Sequence, residues 1–106
     1  MDVVIVGAGP SGCITGEIIA KKGYDVLILE EHSNIGKPVQ CTGLVSKRIG
    51  KIPKEIIVNK IKKARFYSKN EYFEIKSKKP VYLIDREKYD KRLARKAKEA
   101  GVEFKL

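Results

Sequence analysis

Hydrophobic positions along this chain follow two rhythms. Residues 2–6 read DVVIV, with four β-branched residues in a row, the uninterrupted apolar run of a parallel strand covered on both faces. Pro10 then stands where the first turn of a helix begins, a position that tolerates its missing N–H. Ile14, Ile18 and Ile19, with the stem of Lys22, continue at helical spacing until Gly23 stops the helix. A second apolar run, DVLILE at residues 25–30, ends on an acid. The first thirty residues therefore predict a β–α–β unit with a right-handed crossover.

From Glu31 to Ile52 the pattern turns irregular, punctuated by Gly36, Pro38, Gly43, Gly50 and then Pro53. Ser46–Ile49 predicts one short helical turn. Beyond it, polar and apolar residues alternate in ARFYS and EYFEIKS on either side of Lys69-Asn70, predicting a hairpin followed by a strand at VYLI, residues 81–84. Asp85 suits the N-cap of a helix in which Tyr89, Leu93, Ala97 and Ala100 recur at near-helical spacing. Gly101 ends that helix, and VEFKL supplies the next parallel strand. The predicted class is α/β: a partial Rossmann-like domain running β–α–β, an antiparallel insertion around residues 55–84, then α–β. A length of 106 residues suits one domain, 1–106, burying roughly two thirds of its unfolded surface.

Composition narrows the classes. No run approaches the ~20 apolar residues of a membrane-spanning helix, and Met1 leads into Asp2 and an apolar strand without a basic leader, so the expectation is a cytoplasmic protein. Cys13 and Cys41 lack a CxxC spacing and are expected as free thiols. With His32 the only histidine, no metal site is expected. The net charge of +10 is unevenly placed: residues 1–40 carry three basic and five acidic side chains, residues 41–106 twenty and eight. The cationic part suits a polyanion or an anionic membrane face. It equally suits a Lys-rich solvated surface of the kind enriched in hyperthermophiles.

The sharpest chemistry lies in VGAGPSG. Gly7 permits the sharp turn, Gly9 lets the backbone approach a pyrophosphate, and Gly12 allows close packing of helix on strand. Amides around Pro10, Ser11 and Cys13, at the helix N-terminus, supply an anion site. Glu30 follows Gly12 by 18 residues, close to the ~20 expected of an acid that accepts from an adenosine ribose. Its charge repels a 2′-phosphate, which argues against NADP without separating FAD from NAD.

Read in order, GAGPSG, VLILEEHSNIGKPVQCTGLVS and DREKYDKRLARKAKEAG resemble the geranylgeranyl reductase family of flavoproteins, which saturate isoprenoid chains, including those of archaeal membrane lipids. The resemblance covers nearly the whole chain but only the first part of a family member. It implies FAD as cofactor, contacted by Ser11, Glu30, Cys41, Thr42, Gly43 and Arg86, alongside the loop residues Gly7, Gly9, Pro10 and Gly12. PVQCTG departs from the commoner PVxCAEG form by lacking one residue before the glycine. Arg86, at the start of the second helix, suits pyrophosphate oxygens through its planar fork, or a solvated surface. Cys13 suits a core filler and His32 a loop position beside the adenine.

The family's later Gly-Asp motif and its substrate domain are not among these residues, which leaves an adenosine half-site with sheet edges and one sheet face to be covered. The implied partners are FAD, an isoprenoid lipid, an anionic membrane surface at the periphery, and a second chain completing the fold. Other readings stay open: another FAD-dependent oxidoreductase or hydroxylase of the same superfamily, or a non-catalytic nucleotide-binding or cationic RNA- or membrane-surface module. No RNP-type aromatic pattern accompanies the lysines, which argues against nucleic acid.

Overall fold

The computed structural model describes all 106 residues, Met1–Leu106. In chain order they form β1 (Val3–Val6), α1 (Pro10–Lys21), β2 (Val26–Leu29), β3 (Leu44–Val45), β4 (Ile57–Tyr67), β5 (Tyr72–Ile84), α2 (Arg86–Glu99) and β6 (Glu103–Lys105), with 3-10 turns at Lys47–Ile49 and Lys54–Ile56. The chain divides into two compact units, Met1–Gln40 with Arg86–Leu106, and Cys41–Asp85.

In the first unit β1, β2 and β6 form a parallel sheet with β2 central, in the register Val3↔Val26 and Leu27↔Glu103. Gly23 (φ +94) and Gly101 (φ +103) adopt the left-handed conformation that ends each helix. Helices α1 and α2 pack on one another. Cys13, Val26, Ile28 and Ala97 are fully buried between helices and sheet, with Ala8, Leu93, Ala94 and Val102 around them. This reproduces the expected β–α–β and α–β framework.

Two local expectations fail. The apolar run of β1 predicts cover on both faces, yet Val4 and Val6 are 54% and 85% exposed while Val3 and Ile5 pack on the core. Alternate β1 side chains point to opposite faces, and only one face is covered within this unit. Likewise Ile14 and Ile18 of α1 are exposed, whereas Cys13, Gly16 and Glu17 are buried. The helical spacing of Ile14, Ile18 and Ile19 predicts one stripe, yet the face toward the core runs through Cys13, Gly16, Glu17 and Ala20, and of the three isoleucines only Ile19 packs on it. A Cβ on Gly16 would meet Ile28 Cδ1 at 3.0 Å, so helix and sheet approach too closely there for a larger side chain.

The second unit is an antiparallel sheet in the order β3-β5-β4. The hairpin closes where Ser68 N–H donates to the Glu71 carbonyl at 2.7 Å, just ahead of the Tyr67↔Tyr72 and Phe66↔Phe73 pairs. EYFEIKS and VYLI, expected as separate strands, form the single strand β5. The pairing jumps from Lys63↔Lys76 to Ile61↔Val81, and Pro80 lies inside that irregularity, where a missing N–H breaks no ladder bond. Phe66 and Phe73 stack at 5.0 Å and share a face with Ala64 and Ile75 by alternation. Phe66, Phe73 and Ile75 remain about half exposed.

Candidate nucleotide-binding site

At two positions the glycine loop requires glycine, one for its backbone conformation and one for a close contact. Gly7 sits at φ +105, and a Cβ on Gly12 would lie 2.0 Å from the Gly7 carbonyl oxygen. Gly9 differs from both. It is the N-cap of α1, in extended conformation, and a Cβ there would meet no atom within 4 Å. That open space lies in front of a helix end with no side-chain cap. Pro10 has no N–H and the Cys13 N–H is taken by the Gly9 carbonyl, so Ser11 and Gly12 carry the first-turn amides that an anion can meet.

Glu30 closes the other side of the loop. Its Oε2 accepts the Ala8 N–H at 2.7 Å, while Oε1 faces the His32 backbone N–H at 3.0 Å and the His32 ring Nδ1 at 2.8 Å. The Ala8 bond, followed by those of His32, holds the carboxyl below the usual glutamate range against the opposing effect of burial. The strand-end acid is thereby fixed beside the glycine loop as an ionised acceptor.

Residues beyond the motif complete the cavity. It measures about 110 Å³, and Ala8, Gly9, Glu30, His32, Lys37 and Asp90 are among its lining residues. The loop carrying Lys37 is set against α2: a Cβ on Gly36 (φ +88) would approach the Glu87 backbone to 3.0 Å, and Lys37 Nζ lies 3.7 Å from Glu87 Oε1. Arg86 opens α2 and donates through Nε to Asp90 Oδ1 (3.0 Å) and through Nη2 to Asp90 Oδ2 (3.3 Å). Its guanidinium is thus oriented by a nearly buried aspartate that itself lines the cavity.

Sequence reasoning missed Asp90 and Lys37. An acid four residues after Arg86, beside Tyr89 in an otherwise apolar stripe, was the available signal for the first. Lys37 carried none, because its place depends on how the loop folds back on α2. Cys41, Thr42 and Gly43 lie in the second unit. Cys41 and Thr42 are exposed, and the Cys41 Sγ accepts the Gly43 N–H at 3.5 Å. Gly43 has a backbone reason of its own: it sits at φ +77, its carbonyl accepts the Ile84 N–H at 2.9 Å, and a Cβ would stand 2.6 Å from the Ile84 carbonyl oxygen.

The two thiols differ sharply. Cys13 is fully buried, its Sγ donates to the Ala8 carbonyl at 3.3 Å, and burial, with Asp90 and Glu30 nearby, pushes its pKa up to about 11. A thiol-specific reagent at pH 8 is expected to modify Cys41 alone in the native protein, with Cys13 reacting only on unfolding; mass spectrometry of the labelled chain checks this. Rapid double labelling would mean that α1 does not stay docked.

A model of NAD(P)-binding Rossmann-like domains matches residues 5–42. Over 114 aligned positions, covering 99% of this chain and 28% of the relative, it is 37% identical to the digeranylgeranylglycerophospholipid reductase of Methanosarcina acetivorans. Over nearly its whole length the chain is similar to geranylgeranyl reductases. An uncharacterized protein of Methanocaldococcus jannaschii is 48% identical over 101 positions, 91% of this chain and 25% of that one. Among solved structures, a geranylgeranyl bacteriochlorophyll reductase-like protein from Thermoplasma acidophilum superposes with a TM-score of 0.84 at 32% identity, covering 97% of this chain and 29% of that one. The halogenase PltM, solved with phloroglucinol and FAD, shares the fold at a TM-score of 0.72 and 20% identity, over 98% of this chain and 27% of its own. The chain thus spans between a quarter and three tenths of the length of these proteins. No helix in it is long and apolar enough to cross a membrane.

Proposed function

We propose that this chain holds the adenosine end of FAD, as the cofactor-binding part of a flavoprotein whose complete fold reduces the isoprenoid chains of archaeal-type lipids. One observation carries the reading: the 2.7 Å bond from the Ala8 N–H to Glu30 joins the strand-end acid to the glycine loop, the pairing a ribosyl diphosphate requires. Diphosphate oxygens meet the amides of Ser11 and Gly12 across the space in front of Gly9. Arg86, whose guanidinium is held by Asp90, is proposed to meet the same negative charge. Glu30 accepts from the ribose and repels a 2′-phosphate. The proposed site comprises Gly7, Gly9, Pro10, Ser11, Gly12, Glu30 and Arg86 of the first unit; Cys41, Thr42 and Gly43 are proposed as cofactor contacts on the resemblance alone. FAD supplies the hydride chemistry when bound; this chain's residues bind and orient its nucleotide end.

The lipid substrate rests on the names of the reductase relatives. A further polypeptide region, or a second chain, is supported by the half-exposed Phe66, Phe73 and Ile75 and by Val4 and Val6. An anionic membrane surface at the periphery is supported by the excess of basic side chains beyond residue 40.

Thermal denaturation with added nucleotide tests the reading. FAD and ADP are expected to raise the melting temperature, with a stabilisation of about 2.7 kcal/mol at a hundredfold excess over Kd, while NADP⁺ leaves it nearly unchanged. No shift with FAD, or an equal shift with NADP⁺, overturns the assignment.

A further inference from the structure

The Glu30 carboxylate is more constrained than a ribose acceptor needs to be. A carboxylate offers about four lone-pair positions. Oε1 faces two donors, both from His32: the backbone N–H at 3.0 Å and the ring Nδ1 at 2.8 Å. Oε2 faces one, the Ala8 N–H at 2.7 Å. Three of the four positions are therefore engaged, and the one left is on Oε2, the oxygen nearer the glycine loop. Glu30 is 13% exposed and His32 45%, so the imidazole covers the carboxylate from the solvent side. Both side chains line the cavity that Ala8 and Gly9 also border.

We propose that His32 is a positioning residue: its imidazole occupies Oε1 and fixes the carboxylate so that Glu30 reads one ribose hydroxyl of the nucleotide, through Oε2, and not both. This deepens the nucleotide reading above and rests on it. With Nδ1 as the donor, the imidazole and the backbone N–H of the same residue clamp one oxygen from two directions. Rotation of the carboxylate then breaks two bonds together. A carboxylate without that clamp turns to meet a vicinal diol with both oxygens, and discrimination between the two hydroxyls disappears.

The test uses ADP, 2′-deoxy-ADP and 3′-deoxy-ADP as probes, titrated calorimetrically against wild type, His32→Ala, His32→Asn and Glu30→Gln. In wild type one deoxy analogue is expected to bind about tenfold more weakly than ADP, as loss of a bond to a charged acceptor predicts, and the other within about twofold. His32→Ala is expected to shrink that asymmetry to below about threefold, with the ligand-free protein still folded. His32→Asn, whose amide nitrogen can take the place of Nδ1, restores it. In a Glu30→Gln background, His32→Ala has no further effect on the ratio.

Equal penalties for both analogues in wild type overturn the single-hydroxyl reading. An undiminished asymmetry in His32→Ala overturns the positioning role, and additive effects of the two substitutions show that His32 meets the ligand by itself. Failure of wild type to bind ADP at all removes the nucleotide site, and this inference with it.

Discussion

Gly12→Ala is expected to abolish nucleotide binding and to destabilise the first unit by at least about 3 kcal/mol, the upper range of overpacked substitutions. The added methyl group would stand 2.0 Å from the Gly7 carbonyl oxygen and 3.4 Å from Ile5 Cγ2. Both neighbours are held: Gly7 N–H donates to the Leu29 carbonyl at 2.7 Å, and Ile5 is paired in the sheet. Helix α1 must move away from the loop, taking Cys13 out of the core and the first-turn amides out of line. Gly9→Ala is the informative contrast. Its backbone is extended and its Cβ meets nothing, so the fold is expected to keep its stability within about 0.5 kcal/mol while FAD affinity falls, because the methyl group occupies the diphosphate's path. Denaturant midpoints and FAD titrations on both variants check this, and equal behaviour of the two would refute the division of labour between these glycines.

The second large effect belongs to Glu30→Ala, expected to weaken FAD binding by about 1.5–3 kcal/mol, the loss associated with a hydrogen bond to a charged group. The same substitution leaves the Ala8 N–H without its acceptor, so a fall in ligand-free stability accompanies it. The pH dependence has a definite sign. Hydrogen bonds from Ala8 and His32 lower the carboxyl's folded-state pKa, while in the unfolded chain a glutamate titrates near pH ~4.3. The stabilisation is therefore fully present above that pH and is lost as pH falls through the lower, folded value. Wild type and Glu30→Ala stability curves should converge in acid and separate toward neutrality. Parallel curves from pH 7 to pH 3 would show that the carboxylate's bonds contribute nothing.

How much of this was legible beforehand differs by element. β1, α1 and β2 follow from apolar runs bounded by Gly7, Pro10 and Gly23, because each boundary residue has a backbone property that acts locally. The hairpin turn near Lys69-Asn70 and the 3-10 turn after Ser46 were equally local: Ser46 Oγ accepts the Arg48 N–H at 3.2 Å. What escaped was set by distance in sequence. The continuity of β5 through Pro80 depends on a pairing irregularity with β4, and the exposure of Val4 and Val6 depends on which sheet face the helices cover. At the site, Gly7, Gly9, Gly12 and Glu30 declared themselves through spacing. Asp90 did not, and His32 declared only its place beside the adenine, since their importance comes from the partner each holds, the Arg86 fork in one case and Glu30 Oε1 in the other.

The bare side of the parallel sheet makes concentration a hidden variable. Val4 and Val6 sit on an outermost strand, so that wall offers both grease and unpaired amides to whatever arrives first. A dilute sample and a crowded one are then different reagents.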